Sequence, residues 1–379
     1  MSYVPDSVIN FLQTPVSLLK LELVVLELPQ VKPFYSAVGV RNSRKALIVK
    51  WHDQNGTVGY GECSCRPDPF YSHEFVDGAI QVISEYIYPL LAHSKTYDDV
   101  LKALSKIRGW NFTKAAVEMA MNDAIRRATG TGILEAWERP NLDKVPVGIS
   151  MGLFKDESIM ENTINEAISE GYHRLKFKIS PSYAHPFVFR AIDECSHPNI
   201  SFDANGSFGK DDFQKLSQFA HFGYVIEQPF APGSHYLKEV YEFANPELSE
   251  CLDEEVETLG QLIEYKEQIS ELNIKPGRVG GLFNTIEMIE YCLQNSIPAW
   301  IGGMFETGIG RAQNLQIASF LLNAKAHDQS PSSRYFTKDI LVNTIEMENG
   351  FIHASYFLNP QIDENAFQEL TVKSLSLES

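Results

Sequence analysis

The chain has 379 residues, 44% of them hydrophobic and 21% charged, with a formal net charge of −17. So acidic a surface excludes nucleic acid and anionic membrane as main partners, since both select for basic patches, and a small anionic substrate would need local cations or a metal. The length allows a barrel of about 200–250 residues plus a second domain, and five cysteines, odd in number and sparse, fit a reducing cytoplasm.

Phe11–Leu28 is apolar only in parts, being interrupted by Gln13, Pro15, Lys20, Glu22 and Glu27, so it predicts neither a signal peptide nor a membrane span. The first fourteen residues and the last ten carry few structural signals and are expected to fray. Lys20–Leu28 alternates as a strand, and Lys45–His52 and Thr57–Glu62 flank Asn55-Gly56, a strong hairpin signal. Thr113–Ala128 has helical spacing and stops at Gly130. Residues 1–144 therefore read as an α+β unit.

From residue 145 strands and helices alternate. Strands are expected at Val145–Gly152, His173–Ile179, Ile200–Asp203, Tyr224–Gln228, Glu250–Asp253, Leu272–Lys275, Ala299–Gly302 and Ala324–Asp328, with a helix at Ser158–Glu170. Eight strands predict a (β/α)7β barrel over residues 145–341. The tail, 342–379, predicts an extra hairpin that returns to the N-terminal domain.

Five polar residues close successive strands: Lys178, Asp203, Glu227, Asp253 and Lys275, separated by 25, 24, 26 and 22 positions. That interval is one strand, one helix and two loops, so these side chains meet at the end of a barrel where catalytic groups gather. In Leu175–Ile179 the alternation puts Lys176 and Lys178 on one face. Two buried lysines are costly unless they sit at the open end with counter-charges. Asp203, with Asn205 beside it, Glu227 and Asp253 form an all-oxygen set on adjacent strands, which suits a hard divalent cation: Mg2+ first, Mn2+ as the alternative. Singly, each could be a helix cap or a surface salt bridge; together on adjacent strands they point to a metal. Lys178 and Lys275 fall on strands two and six, facing each other. An amine on either side of a metal-held carboxylate suits abstraction of the proton next to that carboxylate.

The set KFK (Lys176, Lys178), DAN (Asp203, Asn205), IEQP (Glu227), LDEE (Asp253) and NIKPGRVGG (Lys275) resembles the enolase superfamily, in the branch containing o-succinylbenzoate synthase and N-acylamino acid racemase. GECSCRPDPFYSHEFVDGA from Gly61, KAAVEMAMNDA from Lys114, VPVGIS ending at Ser150, GGMFETGIGRAQN from Gly302 and SPSSRYFTKDI from Ser330 extend the resemblance over most of the chain. It implies that Asp203, Glu227 and Asp253 hold the metal and that Lys178 is the base. Lys275 would stabilise the intermediate or act as a second base, and Lys176 would support the carboxylate. It also implies an N-terminal domain capping the barrel, with Phe34–Arg41 and Pro67–Tyr71 touching substrate, and Ser150, Gly302, Gly303 and Met304 lining the pocket. His327 stands where relatives carry a small residue, either as a packed core histidine or as a group that reshapes the pocket. Asp253 is picked from the acidic run Asp253–Glu255 by the resemblance alone.

The implied activity is dehydration of 2-succinyl-6-hydroxy-2,4-cyclohexadiene-1-carboxylate to o-succinylbenzoate, a menaquinone-pathway step, in a cytoplasmic homo-oligomer. Racemisation of N-succinyl or other N-acylated amino acids is the nearest alternative, and dipeptide epimerisation is a weaker one. A Schiff-base aldolase would leave three ordered carboxylates unexplained. A non-catalytic binding barrel would not need both lysines.

Overall fold

The computed structural model describes residues 3–36, 39–154, 156–182, 197–220, 224–237, 239 and 249–378. The N-terminal sheet has the order β13-β1-β2-β3. It consists of β1 (Leu18–Ser36), β2 (Gly39–Asp53), β3 (Val58–Cys63) and, from the far end of the chain, β13 (Thr371–Glu378). The β2–β3 turn runs through Asn55-Gly56, where Gly56 takes φ +89°, a left-handed conformation that glycine adopts without steric cost. The helix Asn111–Thr129 packs on β3 and buries thirteen of its residues.

Residues 371–378 do not fray. They form an edge strand because Leu375 and Leu377 meet Leu23 and Leu21 across the antiparallel pair. Nor are the first fourteen without structure, since Asp6–Phe11 is helical and buries Val8.

The second sheet has seven parallel strands in sequential order. These are β5 (Gly148–Met151), β6 (Arg174–Lys178), β7 (Ile200–Asp203), β8 (Val225–Glu227), β9 (Ser249–Leu252), β10 (Glu271–Ile274) and β11 (Ala299–Ile301). Helices at Glu157–Ser169, Phe213–Ala220, Leu259–Tyr265 and Leu282–Gln294 provide described crossovers.

Two expected strands differ. Val145–Gly152 splits at Val147: β4 (Lys144–Pro146) leaves the barrel to pair with β12 (Phe351–His353), and only β5 joins the barrel. Ala324–Asp328 contracts to a single parallel bridge, Val147 to His327. That segment still closes the ring, because Gly148 N–H donates to His327 O at 2.8 Å and Asp328 N–H to Ile301 O at 3.0 Å. The His327 ring helps. It is fully buried, and its Nδ1 accepts from Ile301 N–H at 3.0 Å. Burial and the neighbouring Arg174 bring its pKa down to about 3, so it is neutral. His327 is a core histidine that completes the barrel wall.

Glu62 joins the sheet to the barrel. It lies one residue before the end of β3, beside the helix Gly308–Ala318, accepting from Thr307 N–H at 2.9 Å and Gly310 N–H at 3.2 Å. A carboxylate at a helix N-terminus satisfies donors that have no intrahelical partner.

Glu250 has no such compensation. It lies on the face of β9 away from the Asp253 side, 3% exposed, and among the described residues neither carboxylate oxygen has a hydrogen-bond partner. Burial pushes its pKa up to about 8. A raised acid pKa means that the native state binds the proton more tightly than the unfolded chain. This contribution is therefore complete below about pH 4.5 and is lost as pH rises through about 8. Glu250→Gln is expected to gain on the order of 5 kcal/mol in denaturant unfolding at pH 9, and less than about 1 kcal/mol at pH 5. An equal change at both pH values would assign the effect to packing.

Candidate active site

The strands β6 to β10 each deliver a polar side chain toward the barrel mouth at or next to their C-terminal ends. The inward positions of β6 are Arg174, Lys176 and Lys178, while Leu175 and Phe177 face outward and are buried at 0% and 1% exposure. Lys178 pairs in register with Asp203, and Asp203 with Glu227, but Glu227 is level with Cys251. Asp253 thus sits one inward position higher, the stagger that tilted barrel strands impose.

The charges interlock. Lys178 Nζ lies 2.7 Å from Asp203 Oδ2 and also donates to Asn205 Oδ1. Lys176 Nζ lies 2.7 Å from Glu227 Oε2 and 3.7 Å from Asp203. Lys275 Nζ is 2.7 Å from Asp253 Oδ2, whose other oxygen accepts from Arg278. Asn205 adopts φ +44°, and its backbone N–H donates to Asp203 Oδ1 at 3.0 Å, fixing that carboxylate from both sides. Gln228 Oε1 receives the N–H groups of Asp253 and Glu255, each at 3.1 Å, and so orders the acidic loop.

Burial opposes the charge of Asp253, yet Arg278 and Lys275 outweigh it and hold its pKa near 2. Glu227 goes the other way. Burial raises it to about 8, with Asp203, Asp253 and Asp328 adding repulsion against the pull of Lys176.

A cavity of about 620 Å³ opens above this network, and Ser150, Lys176, Lys178, Asp203, Asn205 and Lys275 reach its wall. Glu227 and Asp253 lie beneath it, at 2% and 1% exposure. Gly303 lines both this cavity and a side pocket of about 130 Å³ that includes Met304. Gly302 is set back: its carbonyl accepts from Gln329, and its Cα packs on Asn273. From the loop after β3, Tyr71 reaches in; its hydroxyl donates to Glu254 Oε1 at 2.9 Å and accepts from Lys275 at 3.3 Å. In the Phe34–Arg41 segment, residues 37 and 38 and the flanking side chains lie outside the described residues.

Arg278 and Asp328 were not singled out from the sequence. Arg278 follows Lys275 by three residues in a turn, where no periodicity shows which way a side chain points. Asp328 was read only as the end of a strand.

The donor set at Asp203, Glu227 and Asp253 is all oxygen, and the mutual repulsion that adds to burial in raising Glu227 is what a divalent cation would relieve. Lys176, Lys178, Lys275 and Arg278 pair with the same carboxylates. Among the described residues, no three acidic, histidine or cysteine side chains are grouped to hold an ion. The chemistry of the three carboxylates fits a hard cation.

A closed parallel barrel, capped by an antiparallel domain and presenting lysines from facing strands over buried carboxylates, is a framework suited to acid–base chemistry. The chain belongs to the enolase superfamily: the model of the Enolase C-terminal domain-like family matches residues 160–356. It is 31% identical over 339 residues to an o-succinylbenzoate synthase of Listeria innocua, covering 87% of this chain and 89% of that one. It is 33% identical to an N-succinylamino acid racemase of Amycolatopsis, covering 84% and 88%. A solved enolase-superfamily protein from Listeria innocua superposes with a TM-score of 0.89 at 27% identity, covering 96% of this chain and 99% of that one. Among the described residues no helix is long and apolar enough to cross a membrane.

Proposed function

We propose that this chain is an o-succinylbenzoate synthase of menaquinone biosynthesis, catalysing syn dehydration of 2-succinyl-6-hydroxy-2,4-cyclohexadiene-1-carboxylate, with N-succinylamino acid racemisation as a second reaction of the same site. The observation that carries the choice is the inequality of the two lysines. The Lys178 side chain is 33% exposed to the cavity, whereas Lys275 is 10% exposed and lies against Asp253 and Tyr71. One accessible base suffices for dehydration; racemisation needs two, because the proton returns on the opposite face.

Lys178, in its neutral form, takes the proton α to the carboxylate. The ammonium so formed gives that proton to the departing hydroxyl on the same face, so a C–H and a C–O bond break and water leaves. Lys176 and Lys275 hold negative charge that spreads onto the substrate carboxylate during the step. Asp203, Glu227 and Asp253 would hold a divalent cation, Mg2+ by the hardness of the donors, which when bound supplies further stabilisation of that charge. Asn205 keeps Lys178 and Asp203 in place.

The test is a side-by-side steady-state assay with Mg2+, following loss of the cyclohexadiene by ultraviolet absorbance and racemisation of N-succinyl-phenylalanine by polarimetry. Efficient dehydration with weaker racemisation supports the proposal; the reverse makes the chain a racemase, and silence in both assays removes the reading. Lys275→Arg keeps the charge but not a usable base, so racemisation is expected to fall by about 10²-fold or more and dehydration by less than about tenfold. Equal losses would refute the one-base assignment.

A further inference from the structure

We propose that Arg174 and Asp328 form a post that positions Lys176, so that both residues serve the reaction without taking part in its proton transfers. The inference rests on the reading that Lys176 faces the substrate carboxylate, and it concerns residues that the mechanism above does not use.

The three inward cations of β6 are buried to very different degrees. Lys178 is a third exposed, whereas the side chains of Lys176 and Arg174 are 4% and 6% exposed. Arg174 lies below the active-site cavity and is not part of its wall, but its partner Asp328 is. One oxygen of Asp328 accepts from Arg174 Nη2 and the other pairs with Lys176 Nζ, so a single carboxylate is clamped between two cations of the same strand. The clamp has a floor. The Arg174 guanidinium stacks 3.8 Å from the centroid of the Trp300 ring, and Lys176 Nζ lies 4.9 Å from it. It is also tied to the backbone, because Asp328 N–H donates to Ile301 O in the segment that closes the barrel.

Lysine ends in a point charge on a flexible four-carbon stem. Glu227 alone would fix the Lys176 ammonium from one side; Asp328 and Trp300 add two more directions and leave one geometry. A carboxylate on the cavity wall would also repel an anionic substrate. Arg174 neutralises Asp328 from beneath, so the carboxylate can orient Lys176 without opposing substrate binding. A guanidinium, always charged and stacked flat on Trp300, suits that task better than a second lysine.

The test uses the full chain and two readouts. In the first, the side-chain ammonium of Lys176 is followed in a ¹H–¹⁵N spectrum of lysine-labelled protein without substrate, the signal being identified by its loss in Lys176→Arg. A protected signal in the wild type that vanishes or shifts in Asp328→Asn and in Arg174→Met is expected; an unchanged signal in both overturns the proposal, whatever the enzyme's activity. In the second, Asp328→Asn and Arg174→Met are expected to raise KM for the cyclohexadiene carboxylate at least tenfold, with a smaller change in kcat and partial recovery in Arg174→Lys. Combining Asp328→Asn with Lys176→Met should cost no more than Lys176→Met alone. Fully additive losses overturn the post. If Asp328→Asn does not fold, Arg174→Lys and Arg174→Met carry both readouts. A wild type that turns over neither substrate defeats the functional reading, while the Lys176 signal still decides this one.

Discussion

Lys178→Ala is expected to lower kcat for both dehydration and racemisation by at least about 10³-fold while leaving the fold intact. Both reactions begin by removing the same α-proton, and Lys178, at the mouth end of β6, is the most exposed of the three lysines on the cavity wall. Asp203 would not be stranded by the change, since Lys176 remains 3.7 Å away and Asn205 N–H still donates to it. The thermal midpoint should therefore move by only a few degrees, which separates loss of a base from loss of structure. Exchange of the substrate α-proton with deuterated solvent is the direct measurement. If exchange persists in Lys178→Ala at a tenth of the wild-type rate or more, the base lies elsewhere on the wall, with Lys275 the next amine to examine.

Gly61→Ala is expected to cost more than about 4 kcal/mol of stability and to leave little soluble protein, with Gly59→Ala close behind. Both glycines lie on the face of β3 that meets the helix Asn111–Thr129. A Cβ on Gly61 would come within 2.6 Å of Ala120 N and closer still to Ala116 O; one on Gly59 would lie 2.7 Å from Ala124 Cα. These neighbours are backbone, so no rotamer change relieves the overlap, and the helix would have to lift off the strand. Glu62 follows Gly61 and holds the first turn of the Gly308–Ala318 helix, so the displacement would reach the barrel. Chemical denaturation and yield of the two variants measure the effect. A Gly61→Ala protein of wild-type stability would mean that strand and helix are not in this contact.

The strand ends were legible because a barrel makes one demand at regular intervals: a short apolar run that closes on a polar residue at its inward position. Lys178, Asp203, Glu227, the acidic run Asp253–Glu255 and Lys275 announce themselves that way, and the hairpin at Asn55-Gly56 does so through turn chemistry. Local pattern failed where the partner was remote. Thr371–Glu378 looks like a loose end until Leu375 and Leu377 find Leu23 and Leu21. Ala324–Asp328 looks like a full strand, yet in three dimensions it needs only one bridge and the His327 ring to close the barrel.

By itself, then, the sequence determined the order of the units, the hairpin, the strand ends and the chemical type of nearly every group in the site, because alternation, spacing and turn residues are local properties that each strand carries alone. The tertiary structure decided which charges touch. Barrel tilt lifts Asp253 one position above Glu227, the capping domain lays Tyr71 against Lys275, and Asp328 is brought from the far end of the barrel domain to lie between Arg174 and Lys176. It also decided how far each lysine reaches the cavity. Burial and ion pairing depend on neighbours distant in the chain, and no period in the sequence records them.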